Sequence, residues 1–157
     1  MEEIRLPNEH PVKYVTRLAL AKAEAARDNA NEIILGADTT VVIGSEVLEK
    51  PIDAMDARRM LRLLAGKEHQ VVTGICLLRG ERAVVDRAIT RVWFTPLTET
   101  EIGQYVASGE PMDKAGAYAI QGLASKFVDR IDGCYFNVMG LPIPLVYKHW
   151  KKLTAAE

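Results

Sequence analysis

The chain has 157 residues, with 20 Lys and Arg against 21 Asp and Glu, and is 48% hydrophobic and 26% charged, which makes one ordinary globular domain and excludes disorder of the whole. Folding at this length buries about 70% of the unfolded surface, enough for a core without disulfide or metal staples. The formal net charge of −1 offers no cationic field for nucleic acid or an anionic membrane, and no apolar run reaches the ~18–20 residues of a membrane span.

The first periodic segment is residues 12–27, where Val15, Leu18, Ala19, Ala23 and Ala26 fall on one helical stripe after Pro11 in the first turn. Residues 29–31 stop that helix. Residues 32–38 then read as a buried strand ending in Asp38, and the β-branched residues 39–43 continue it. Gly44 and Ser45 mark a turn. Asp53 caps a helix over 54–65 with Met55, Met60, Leu61 and Leu64 inward, and Gly66 ends it. Two β-rich runs, 69–78 and 83–95, flank Arg79-Gly80-Glu81-Arg82 as a hairpin. Thr98 and Glu101 form a capping box for a short helix to Ser108, ahead of Gly109. A loop (110–121), a strand (126–131), a turn region (133–140) and an apolar C-terminal helix (142–152) complete the chain. The expected fold is a single α/β domain, a mixed twisted sheet flanked by helices.

Cys76 and Cys134 lack CxxC spacing and a nearby His cluster, so they read as thiols of a reducing compartment. The N-terminus is acidic and has no apolar signal region, which points to a cytoplasmic protein. His10, His69 and His149 show no metal-ligand spacing and read as surface or packing residues.

Three segments carry chemistry-bearing residues. Gly36-Ala37-Asp38-Thr39-Thr40 puts a carboxylate at the end of an apolar strand, where open α/β sheets build their sites, although a turn or cap aspartate reads equally well from local pattern. The stretch 109–122 holds Glu110, Asp113, Lys114, Gln121 and three glycines; hard carboxylate oxygens suit Mg²⁺ and a lysine suits phosphate, while an ordinary solvated loop stays open as a reading. Lys50 lies a short loop beyond the Asp38 strand and can turn back over the same pocket. Lys22 sits among the small apolar residues of the first helix, where a snorkelling lysine is the bland alternative. No P-loop, Rossmann fingerprint or nucleophile elbow is present in the sequence.

These residues resemble the Maf family of nucleoside triphosphate pyrophosphatases. The matching segments are Arg17-Leu18-Ala19-Leu20-Ala21-Lys22-Ala23, Gly36 to Val42, Lys50-Pro51, His69-Gln70-Val71-Val72-Thr73-Gly74, Gly109-Glu110-Pro111 with Asp113-Lys114-Ala115-Gly116, and Asn137 followed by Gly140-Leu141-Pro142. Ala117-Tyr118-Ala119-Ile120-Gln121-Gly122 is similar to the branch acting on dTTP and UTP. The resemblance implies hydrolysis between the α- and β-phosphates to a monophosphate and pyrophosphate. It implies Asp38 as general base, Thr39 and Gln121 reading the pyrimidine, Lys22, Lys50 and Lys114 neutralising the triphosphate, and Glu3 with Asp38 holding a divalent metal, Mg or Mn. It also implies a homodimer, with no nucleic-acid or membrane partner.

Members of the family open with a strand and a Ser-x-Ser-Pro-Arg-Arg loop that cradles phosphates, whereas here Met1 leads straight into Glu2 and Glu3. The expectation is therefore a fold truncated at its N-terminus relative to the family. The alternative function is that of a catalytically impaired Maf-like remnant acting as a binding or regulatory protein in cell-division control.

Overall fold

The computed structural model describes residues 3–29 and 31–155. Helix α1 (Pro11–Ala25) starts where His10 Nδ1 accepts from the Val12 amide at 3.2 Å. Val15, Leu18, Ala19 and Ala23 are buried as the stripe predicts; Ala26 is exposed because the helix has ended and this residue is its C-cap. Met1, Glu2 and Ala30, the last inside the expected helix stop, lie outside the described residues.

Strand β1 (Ile34–Ile43) turns through Gly44, whose φ of 57° suits glycine, into β2 (Glu46–Leu48). In α2 (Ala54–Leu64) the Asp53 side chain accepts from the Asp56 amide at 2.7 Å, and Ala57, Met60, Leu61 and Leu64 form the inner stripe. Met55, expected inward, is 79% exposed. It stands two residues before Ala57, about 200° around the helix from that stripe.

A two-residue turn at Gly80 joins β3 (Glu68–Arg79) to β4 (Arg82–Phe94). The capping box of α3 (Glu99–Ala107) is complete: Glu101 N donates to Thr98 Oγ1 at 3.1 Å and Thr98 N to Glu101 Oε1 at 2.9 Å. Three short 3₁₀ turns occupy most of residues 110–127. Then follow β5 (Val128–Asp132), the single turn α4 (Tyr135–Val138) inside the expected turn region, and α5 (Ile143–Thr154).

The strands form one sheet in the order β2-β1-β3-β4-β5. The α/β class holds, but every described pairing is antiparallel where a mixed sheet was expected. Hairpins at 44–45 and 80–81 are too short for anything but antiparallel neighbours. The main core packs α2, α3 and the 3₁₀ region against Val41, Val71, Val92 and Phe94; α5 covers Ile75 and Leu77.

On the other face α1 lies unusually close. Gly36 and Gly74 stand on that face, each without a side chain to hold the helix off. A Cβ on Gly36 would meet the Ala19 carbonyl oxygen at 2.1 Å, and one on Gly74 the Val15 carbonyl at 2.4 Å. Asp38 pairs directly with Gly74 across the strands, so this approach sets the distance from Asp38 to the side chains of α1.

Candidate active site

Pairing between β1 and β2 covers only Val41–Ile43 of β1, so the outer edge of β1 is open at residues 37–40. The chain leaving β2 carries Glu49 and Lys50 past this opening. Residues 113–118 and 138–140 close the other sides, and the enclosed cleft measures about 420 Å³. Its wall includes Glu3, Lys22, Asp38, Thr39, Glu49, Lys50, Asp113, Lys114, Tyr118 and Gly140. Asp38 stands in the middle of a ten-residue strand, at the end of its apolar half and before the β-branched half that the sequence reading had continue it. The β-branched run after it extends the strand.

Lys22, three residues beyond Ala19 on α1, donates from Nζ to Asp38 Oδ1 at 2.8 Å and pairs with Glu3 Oε1 at 2.8 Å. Burial pulls the Lys22 ammonium down, but its two carboxylate partners outweigh that and hold it above the usual lysine value. Asp38 is buried, and burial raises its carboxyl above the ordinary aspartate value against the opposing pull of Lys22. The hydrogen bond from Lys22 holds Glu3 below the ordinary glutamate value. Among the described residues Asp38 Oδ2 is buried without a hydrogen-bond partner. A buried acceptor left bare costs stability, and such strain collects where a ligand or proton completes the site.

Thr39 Oγ1 lies 2.8 Å from Thr73 Oγ1 and 3.3 Å from the Gly140 carbonyl, to which it donates. The segment carrying Gly140 is fixed by the buried Asn137, whose Nδ2 donates to Val71 O at 3.1 Å and Thr90 Oγ1 at 3.0 Å. Lys114 Nζ donates to Asp113 Oδ1 at 2.7 Å at the cleft rim. The fold thus gathers Glu3, Lys22, Asp38, Thr39, Lys50 and Lys114. Gln121 is exposed and stands outside this cleft.

Sequence reasoning missed Glu49 and Tyr118 as cleft residues. Thr40 Oγ1 donates to Glu49 Oε1 at 2.9 Å, and burial lifts the Glu49 carboxyl above its ordinary value. Only the position of Glu49 beside Lys50 hinted at this. Glu110 has a bracing role instead of facing the cleft: it accepts from Tyr105 Oη and from the Leu123 amide, and Gly122 leaves room for its carboxylate.

Two carboxylates meet at the Lys22 ammonium, Asp38 through Oδ1 and Glu3 through Oε1. That donor set fits Mg²⁺ or Mn²⁺, which take one or two carboxylates and complete their shell from water and substrate phosphates. Among the described residues no group of three His, Cys, Asp or Glu side chains could hold a metal, so the fit rests on these two carboxylates. No helix among the described residues is long and apolar enough to cross a membrane.

A buried carboxylate facing several lysines across a cleft suits hydrolysis of a polyanion, and comparison with known proteins points the same way. The chain is 52% identical over 150 residues to a protein of Syntrophomonas wolfei named dTTP/UTP pyrophosphatase, covering 94% of this chain and 79% of that one. A protein of Koribacter versatilis with the same name is 47% identical over 151 residues, 96% of this chain and 78% of the relative. For one of Hahella chejuensis, again with that name, the figures are 49% over 146 residues, 90% and 72%. The family model described as Maf-like protein matches residues 1–153. The chain belongs to the Maf family.

Proposed function

We propose that the chain is a nucleoside triphosphate pyrophosphatase that hydrolyses dTTP and UTP to the monophosphate and pyrophosphate. The observation that carries this reading is Asp38, buried, with Oδ1 on Lys22 and Oδ2 bare, in a cleft bordered by Lys22, Lys50 and Lys114. Water attacks the α-phosphorus and gives its proton to Asp38 Oδ2. The bond from that phosphorus to the α–β bridging oxygen breaks, and pyrophosphate leaves with the electron pair. Burial makes Asp38 a stronger base than an exposed aspartate. The three ammoniums offset the triphosphate charge at fixed positions.

A divalent cation, Mg²⁺ or Mn²⁺, supplies further charge neutralisation on the phosphate oxygens when bound; Asp38 and Glu3 would hold it. In this reading Thr39 meets the nucleoside at the cleft wall, and the Gln121 amide, with both donor and acceptor, meets the base outside it. The family resemblance supports a homodimer in the cytoplasm, where Cys76 and Cys134 remain free thiols.

The test is pyrophosphate release from dTTP, UTP, CTP, ATP and 7-methyl-GTP with Mg²⁺ or Mn²⁺. Turnover of dTTP and UTP at least about tenfold above the others is expected from a pocket that reads the base by hydrogen bonds. A folded protein that releases none would sink the proposal.

The Lys22–Asp38 pair gives a pH prediction. Asp38 acts only when deprotonated, and the nearby ammonium favours that form. Lys22→Met removes the opposing pull and raises the Asp38 pKa further, so the acid limb of kcat/KM moves to higher pH. An acid limb at the same pH in both proteins would show that the limb does not report Asp38.

A further inference from the structure

One buried polar pair is left over by this mechanism. On β3, His69 is 2% exposed, and its Nε2 lies 2.6 Å from Tyr118 Oη, in a hydrogen bond between residues 49 apart in the chain. The two rings and Phe94 form a set of edge-to-face contacts, with centroids 5.2 Å apart for His69 and Phe94 and 4.8 Å for Phe94 and Tyr118. Among the described residues His69 Nδ1 is buried without a partner, and the ring's one polar link is to Tyr118.

Tyr118 closes the segment 113–118 that carries Lys114 along the cleft. Gly116 and Ala117 are consecutive residues at positive φ, 71° and 65°. For Ala117 that conformation is strained, and it persists only when the surroundings over-determine it. Inside the segment the Gly116 amide donates to the Glu49 carbonyl at 3.2 Å, and Gly116 lies so close over Val41 that a Cβ would stand 2.7 Å from its Cγ2. At its C-terminal end the anchor is the His69–Tyr118 bond. Lys114 precedes both anchors, and its ammonium has only its neighbour Asp113 as ion partner among the described residues.

We propose that His69, through Tyr118, is a positioning residue: the buried bond clamps the strained 113–118 segment so that Lys114 is held over the phosphates of the bound nucleotide. This rests on the proposed pyrophosphatase reading for its consequence, though not for its geometry. The residue acts through Tyr118, since His69 is not among the residues that line the cleft.

Tyr118→Phe deletes the hydroxyl alone and keeps the ring packing. It is expected to lower kcat/KM for dTTP about tenfold, and by less than about twofold when Lys114 is already Ala, because coupled groups are not additive. His69→Gln, whose amide can still bond Tyr118 Oη, is expected to recover most of the activity that His69→Leu loses. A second readout needs no activity: in native protein, trypsin should cut after Lys114 about tenfold faster in Tyr118→Phe, since a freed segment opens locally, with cleavage after Arg91, whose backbone is paired on both sides in the interior strand β4, unchanged as the measure of global unfolding. Equal losses with and without Lys114, or equal cleavage of wild type and Tyr118→Phe after Lys114, would overturn the clamp. Failure of the wild type to release pyrophosphate would overturn the functional reading instead, and the cleavage ratio would still decide the clamp.

Discussion

Asp38→Asn is expected to lower kcat for dTTP by about 10²–10⁴-fold, the range of general acid–base catalysis, which is about 3–5 kcal/mol of barrier. The substitution keeps the shape of the side chain. The Asn carbonyl can still accept from Lys22 where Oδ1 does at 2.8 Å, but the group that replaces the bare Oδ2 is an amide that takes no proton. Stability should move the other way. Burial lifts the folded-state pKa of Asp38 above the ordinary value, so the ionised form is disfavoured in the folded protein at neutral pH. Any contribution it makes is therefore present at low pH and lost as pH rises through the folded pKa. A neutral isostere removes that cost at pH 7, and the thermal midpoint of Asp38→Asn should equal or exceed that of the wild type. The check is pyrophosphate release alongside thermal unfolding at pH 7. Turnover within about threefold of wild type would reject Asp38 as the base, given the size of effect general bases produce.

Gly74→Ala is expected to destabilise the fold by about 3 kcal/mol, the upper end for overpacking a tight contact, because the added Cβ would stand 2.4 Å from the Val15 carbonyl. The obstacles, Val15 C and O and Thr16 N, are all backbone, with no flexible side-chain end to give way. The expected fall in midpoint is about 6–12 °C for a chain of this size. Activity should fall too, since lifting α1 away draws Lys22 from Asp38, which faces Gly74 across the strands. Gly103→Ala in α3 is the control: there the new Cβ meets only the tip of Arg58 at 3.3 Å, and replacing a mid-helix glycine should stabilise by up to about 1 kcal/mol. A midpoint for Gly74→Ala equal to wild type would show that α1 is not seated by the glycines.

The local signals of this chain were legible because each depends on residues within one turn of one another. Asp53 caps α2 through Asp56, Thr98 and Glu101 close the capping box of α3, and the Gly80 turn fixes the register of the long β3–β4 hairpin. The motifs were legible in the same way: Lys22, Asp38, Lys50 and Lys114 were marked by their residue types, and the fold brings them to one cleft. Where Met55 faces, by contrast, was misjudged by an apolar residue standing on the wrong side of an otherwise correct stripe.

What the sequence by itself determined was the α/β class, most of the elements and the family, since periodicity, caps and motif order are properties of neighbouring residues. Only the tertiary structure decided that the described sheet is antiparallel throughout, that Asp38 lies at an open edge, that Glu49 joins the cleft while Gln121 stands outside it, and that Glu110 braces a turn. The same holds for His69, read from the sequence as a surface or packing residue, against which the chain returns 49 residues later to place Tyr118. Each of these depends on which distant segments meet, and that is set by close packing across the sheet, by two glycines that admit a helix and by two buried side chains with a single polar partner between them.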